Sequence, residues 1–283
     1  MGEFLQGLSQ INWISMLAAT LTSATPIVLA ALGGILAERS GVTNIALEGI
    51  MLTSAYVAYG AGILLKSTFG GLLVAIAAGA LIALLHAVLS IKYRTNQVVS
   101  GTVINIFALG ITGYLYRQFD SNSDLSTFPT IDIPLLSQIP VIGEIFFQQQ
   151  PIVFLTLILV AVVHLVLFRT KWGLRTRAVG EHPRAAATVG VDVNRMRYIN
   201  VILSGVLAGI GGAWLIVEAV GRFTPNMTTG RGFIGLAAMI FGNWTPLGAL
   251  GASLLFTIPE AIQVKLQLLG VPIPYQFLTM LPY

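Results

Sequence analysis

Cysteine is absent from this chain, and charge is scarce: Asp, Glu, Lys and Arg together make up 9% of its 283 residues. Without cysteine there is no disulfide, no thiolate nucleophile and no Cys-ligated metal, and the redox compartment goes unmarked. The start of the chain lacks positive charge. Glu3 is the only ionisable side chain before Glu38, so the basic region of a cleaved signal peptide is missing. Also missing are HExxH, a carboxylate pair at catalytic spacing and a Gly-rich loop ending in Lys. These absences leave no zinc hydrolase and no ATP site of that type, and no cofactor or metal is expected. His86 and His164 are isolated within apolar runs, where a lone histidine reads as structural.

What is present is apolar. Hydrophobic residues reach 55% and the mean hydropathy is +0.85, whereas a soluble domain carries roughly a quarter charged residues. Several windows approach the roughly 20 apolar residues that a spanning helix needs. The 30 glycines suit helices that approach closely in lipid. The fold class is therefore an all-α polytopic membrane protein, a single transmembrane domain over 1–283. Candidate spans fall at about 13–36, 45–65, 69–91, 98–116, 151–168, 199–220, 233–245 and 246–268, with a ninth beginning near 273. That last run, Ile273 to Tyr283, has 11 residues and is too short to cross; truncation of the last segment is the expectation.

Loop charge orients the spans. Of 15 Lys and Arg residues, 7 lie between Arg169 and Arg197, while 118–150 has none and carries Asp120, Asp124, Asp132 and Glu144. The 169–198 loop is thus expected in the cytoplasm and 118–150 outside, with an external N-terminus. Lys66 is the exception to the rule. The net charge of +4 is concentrated in that one loop, so topology explains it and no nucleic-acid partner is implied. The loop 118–150 is either an ordinary surface loop or a docking or lid surface.

"GVTNIALEGIM" (41–51) and "GRGFIGLAAMI" (230–240) align at an offset of 189, with Gly41 on Gly230, Ile45 on Ile234 and Leu47 on Leu236. Each follows a long span, and the two spans run in opposite directions. A first repeat of about 13–116 and an inverted second repeat of about 199–283 follow, with interrupted helices at the matching places, as in transporters built from inverted repeats. Polar groups stand in these segments. Glu48 is costly in hydrocarbon and must face protein, water or a partner. If the helix begins near Asn44, Asn44 and Glu48 share a face that could line a cavity; the alternative is a structural cap or a pair with Arg39. Asn105, with Asn96 and Gln97 nearby, is either pathway-lining or interhelical glue. Phe107 and Phe233 are candidates for stacking on a planar substrate, or core. In "FGNWTPLG" (241–248), Pro246 and the glycines break the second repeat, and Trp244 reads as an interface anchor. Glu218, Arg222 and Arg231 read as snorkelling side chains at outer helix ends.

"GLRTRAVGEHPRAAATVGVDVNRMR" (173–197) is basic and punctuated. Pro183 suits a first helical turn and Gly190 a stop, so one short helix is expected. A helix that short needs a docking surface. The alternatives are a loop that only sets topology or one that grips anionic membrane lipid.

This stretch resembles the cytoplasmic coupling loop of permease subunits of ATP-binding-cassette importers in the branched-chain amino acid, ribose and nucleoside group. "ERSGVTNIALEGIMLTSAY" and "GRGFIGLAAMIFGNWTPLGALGASLLF" resemble that group's two half-signatures. With "TNQVVSGTVINIFALGIT" they are most similar to its nucleoside and simple-sugar branch, over about 20–283. The resemblance implies a bacterial inner-membrane permease subunit, not itself an enzyme, for nucleosides or related ribosides. It implies three partners: an ATPase clasping Gly180, Glu181, His182, Pro183, Arg184, Ala185, Ala186, Ala187 and Gly190; a second permease, expected to be a different chain, completing a pathway near Asn44, Glu48, Asn105, Phe107 and Phe233; and an external lipoprotein. The alternatives are a simple-sugar permease, or a self-sufficient secondary transporter or channel with Glu48 as its ion site.

Overall fold

The structure is a computed structural model. It describes residues 12–119, 124–134 and 137–268, the side chains of 266–268 excepted. Helix α1 (Trp13–Arg39) begins where the Asn12 side chain accepts from the N–H groups of Ile14 and Ser15. There follow α2 (Leu47–Leu65), α3 (Thr68–Ala87, extended by a π turn Val88–Lys92) and α4 (Gln97–Gln118). A cap then forms from a two-residue strand β1 (Ile131–Asp132), α5 (Ile142–Phe146) and β2 (Gln148–Gln149), β1 and β2 pairing antiparallel. The second half contains α6 (Pro151–Arg169), α7 (Lys171–Glu181), α8 (Pro183–Thr188), α9 (Val193–Trp214, with a π turn Leu215–Val220), α10 (Arg231–Phe241) and α11 (Pro246–Leu268).

Among the described residues, seven helices are long and apolar enough to span: α1, α2, α3, α4, α6, α9 and α11. The nine-span expectation is corrected at one place. The segment assigned to 233–245 is α10, an 11-residue helix about 16 Å long, half of a hydrocarbon core about 30 Å thick. It ends because Asn243 and Trp244 adopt positive φ (52° and 50°) and Pro246 starts the next helix. The start near 273 lies outside the described residues.

The two long helices form the centre: 83% of the apolar window of α1 and 78% of that of α9 are buried, against 28–33% for α3, α4 and α6. Small residues permit the approach. Gly205 on α9 lies so close to Gly79 on α3 that a Cβ on either would strike the other's backbone, and Gly212 abuts the Met51 carbonyl of α2. The π turns leave α3 and α9 wider at opposite ends of the bundle.

One end is basic and carries α7 and α8; the other is acidic and carries the cap. The basic stretch 169–198, expected as a loop with one short helix, holds two helices and the first turn of α9. Helix α7 escaped the periodicity reading because its buried face is Gly173, Thr176 and Val179, residues too small or polar to mark an apolar stripe. At the acidic end, Leu125 and Phe128 donate backbone N–H bonds to Gly221 and Val217. Glu218 is corrected from a snorkelling side chain: it is 3% exposed and its Oε1 accepts from the Ile152 N–H at 2.6 Å, capping α6. Arg222 pairs with Asp124 at 3.6 Å.

Candidate functional site

Between α1 and α2 the chain is not helical from Gly41 to Ala46, although it is buried among helices. In a low-dielectric interior every freed backbone group needs a partner. Side chains supply them. Thr43 N–H donates to Gln97 Oε1 at 2.7 Å, and the Thr43 carbonyl lies 3.1 Å from His86 Nε2. Asn44 Oδ1 accepts from Ala46 N–H at 3.1 Å, while its Nδ2 donates to Ser204 Oγ of α9 at 3.0 Å. Asn105 spans the junction: Nδ2 donates to the Ile45 carbonyl at 2.9 Å and Oδ1 accepts from Gly49 N–H at 2.8 Å. Helix α4 comes this near because Gly101 faces Ile45 and Ala46. Asn44 precedes the helix, so it and Glu48 do not share a helical face.

The second interruption runs from Gly221 to Gly230, before α10. Here Glu48, 8% exposed, reaches across from α2. Its Oε1 accepts from Thr228 Oγ1 at 2.6 Å and Gly230 N–H at 2.9 Å, and its Oε2 from Gly232 N–H at 2.7 Å. A carboxylate at a helix N-terminus satisfies orphan N–H donors and the positive end of the helix dipole. Gly230 takes φ +86°, and a Cβ on Gly232 would stand 2.6 Å from the Glu48 backbone. The Glu48 partner is therefore α10, not Arg39. Gly235 packs on Ala30 and Ala31 of α1, so α10 begins beside the middle of α1, deep in the bundle. Arg231, expected at an outer helix end, stands at that depth and pairs with Glu260 of α11 at 2.8 Å.

At the basic end the first interruption and the α10–α11 corner meet one elbow, Glu38–Gly41. Arg39 donates from Nη2 to the Trp244 carbonyl at 3.1 Å, and Trp244 Nε1 donates to the Glu38 carboxylate. Trp244 is thus a half-buried link between α1 and the α10–α11 corner, where an interface anchor was expected. Arg197 Nε donates to the Ser40 carbonyl at 3.2 Å. Gly180 of α7 packs directly on the Arg39 carbonyl and Gly41. Helix α8 extends beyond this elbow. Ala186 is 4% exposed and packs with Val179 and Met196, while Glu181, His182, Arg184, Ala185, Ala187 and Gly190 are exposed and Pro183 is partly so.

The sequence-selected residues thus fall into groups. Asn44, Glu48 and Asn105 converge on the two interruptions, each bonded to backbone. Phe107 and Phe233 are 65% and 47% exposed. Because Asn105 holds Gly49 and Gly232 abuts Glu48, α4 and α10 flank the first turn of α2, and the two rings leave that level outward. Gly180 and Ala186 face the chain's own interior; the remaining α8 residues form its surface. Sequence reasoning missed the elbow residues Ser40 and Arg197, whose signal, a basic side chain 157 positions from its partner, has no local pattern. His86 is fully buried, with Nδ1 3.1 Å from Ser100 Oγ. His164 lies against the Phe168 ring.

Residues 16–278 match the family described as branched-chain amino acid transport system / permease component. The chain is 40% identical over 280 residues to the guanosine ABC transporter permease protein NupQ of Bacillus subtilis, spanning 94% of this chain and 87% of that one. It is 39% identical over 286 residues to the nucleoside ABC transporter permease protein NupC of Lactococcus lactis, spanning 96% and 90%. Among solved structures, an inward-facing conformation described as a metal-chelate type ABC transporter matches with a TM-score of 0.50, covering 98% of this chain and 84% of that one. At 16% identity that likeness concerns the fold alone.

Proposed function

This chain belongs to the branched-chain amino acid transport permease family, and on that footing we propose that it is the membrane permease subunit of an ATP-driven nucleoside importer. The substrate class rests on 40% and 39% identity, over nearly the whole chain, to two permeases named for guanosine and for nucleosides. The chain has no phosphate-binding loop, so energy comes from a separate ATPase. The basic end is cytoplasmic by the positive-inside rule, which puts the N-terminus outside.

The observation that carries the mechanism is the elbow. Helix α8 is exposed at the basic end, α7 seats Gly180 on Arg39 and Gly41, and Arg39 holds Trp244. An ATPase that grips α8 and its flanks through Glu181, His182, Arg184, Ala185, Ala187 and Gly190 would thereby move the first interruption and the α10–α11 corner together. The interruptions are the places where the bundle can rearrange without breaking a helix. Asn44, Asn105 and Glu48 keep those segments bonded, and Phe107 and Phe233 supply apolar surface toward the pathway. Helix α4 buries only a stripe of Ser100, Gly101, Ile104, Ala108 and Thr112. Its open face, with Val103, Ile106 and Phe107, suits a second permease. A binding lipoprotein would dock on the cap.

The assembly reconstituted in liposomes should take up guanosine only with ATP and the ATPase subunit. Ala187→Glu on the exposed side of α8 should cut ATPase co-purification and uptake at least tenfold while the protein still inserts. Gradient-driven uptake by this chain alone would overturn the proposal. Saturable glucose uptake in place of guanosine would overturn the substrate assignment and leave the subunit role standing.

A further inference from the structure

Two hollows adjoin on the outer surface formed by α6, α7 and α9, and none of the residues discussed for transport lines them except Gly190. The first, about 390 Å³, opens at the basic end; its lining includes Trp172, Arg175, Asp192, Arg195 and Ile199. The second, about 310 Å³, continues from Trp172 toward the bundle's middle and is lined by aliphatic side chains, among them Leu36, Val162, Val166, Leu203, Val206 and Ile210. From Ile199 to Ile210 is about 16 Å along α9, close to the ~15 Å of hydrocarbon in one leaflet. Trp172, shared by both, stands where the charged hollow gives way to the apolar one, the level at which indole rings settle in a bilayer.

Neither the Arg175 nor the Arg195 guanidinium has an ion-pair partner among the described residues. Asp192 is the one acid in the lining, and its Oδ1 is engaged by the Arg195 backbone N–H at 2.9 Å as the N-cap of α9. Two free cations thus stand over an apolar groove one leaflet deep. We propose that this is a binding site for one anionic phospholipid of the leaflet at the basic end, its phosphate on Arg175 and Arg195 and an acyl chain along the groove between α6 and α9. Charge complementarity and the continuity of the two hollows favour a lipid over a protein helix, which would leave both arginines unpaired, and over a free anion, which would leave the groove empty. The site is independent of the transported substrate. A lipid there bridges α6 to the first turn of α9, the helix that carries Arg197 and so the elbow.

The test is native mass spectrometry of the purified, lipid-depleted full-length chain in micelles doped with phosphatidylglycerol or phosphatidylcholine. Wild-type protein should retain one phosphatidylglycerol in preference to phosphatidylcholine. R175Q/R195Q should weaken that binding roughly thirtyfold, the loss expected of two basic residues at an anionic surface, while R175K/R195K keeps most of it. V206W, or V162F if the first is not monodisperse, should also weaken it with both arginines present. Millimolar inorganic phosphate should not displace the lipid. Equal retention of the two lipids, no change in R175Q/R195Q, or displacement by phosphate with silent groove variants would each overturn the assignment.

Discussion

Glu48 puts a carboxylate inside an apolar bundle, and three donors from the second interruption and the first turn of α10 account for it. Each hydrogen bond to a charged group contributes about 1.5–3 kcal/mol net, and removing the acceptor strands buried N–H groups as well. Glu48→Ala should therefore lower the stability of the purified protein by about 3 kcal/mol or more, seen as a lower thermal midpoint. Glu48→Gln keeps one acceptor oxygen and should fall between. A role confined to substrate contact predicts the opposite pattern, impaired uptake with an unchanged melting curve. The presence of an expensive acid at 48 was legible in the sequence. Its partners were not, because Thr228, Gly230 and Gly232 lie 180 to 184 positions away and offer one common hydroxyl and two backbone N–H groups, which mark no pattern in the sequence.

At the scale of elements, the sequence pattern recovers the long helices and both places where they are interrupted, since Gly, Pro and polar residues punctuate apolar runs there. The residue-by-residue repeat at offset 189 does not carry over. Gly41 and Gly230 both adopt positive φ (81° and 86°), yet Gly41 stands at the end of α1, six residues before α2, while Gly230 immediately precedes α10. The correspondence survives as an order of elements: long helix, interruption, resumed helix. Packing at the resumed helix gives a contrast to test. Gly232→Ala would drive a Cβ into the Glu48 backbone, and should destabilise by about 1–3 kcal/mol. Gly251 on α11 has open space around it, so Gly251→Ala should be neutral or stabilising by up to about 1 kcal/mol. Thermal unfolding of the two variants side by side separates close packing from helix propensity.

For the whole molecule, charge and helix count agree. The basic end gathers Arg39, Lys92, Arg94 and the seven cations of 169–197; the other end has Lys66, Arg117, Arg222, which pairs with Asp124, and Lys265, which donates to Ser15 Oγ. Because the chain has no native cysteine, single replacements report sidedness without background. A cysteine at Ala187 should react with an impermeant maleimide only from the cytoplasmic side, and one at Asp124 only from outside. Labelling of Ala187→Cys in intact cells would invert the bundle and remove the coupling role of α8.

Composition and punctuation alone determined that this is a helical membrane protein, which end is basic, where its helices are interrupted and that a short proline-started helix lies in the basic stretch. These are local or summed properties: transfer of apolar side chains into lipid, loop charge, and backbone dihedrals set by Pro and Gly. Only the tertiary structure decided that α10 reaches halfway, that Glu48 holds it, and that one elbow joins α7, α9 and α10. Those outcomes depend on which buried donor meets which acceptor across distant helices. In a medium without water, each freed backbone group must find such a partner, and the chain's order does not say which one.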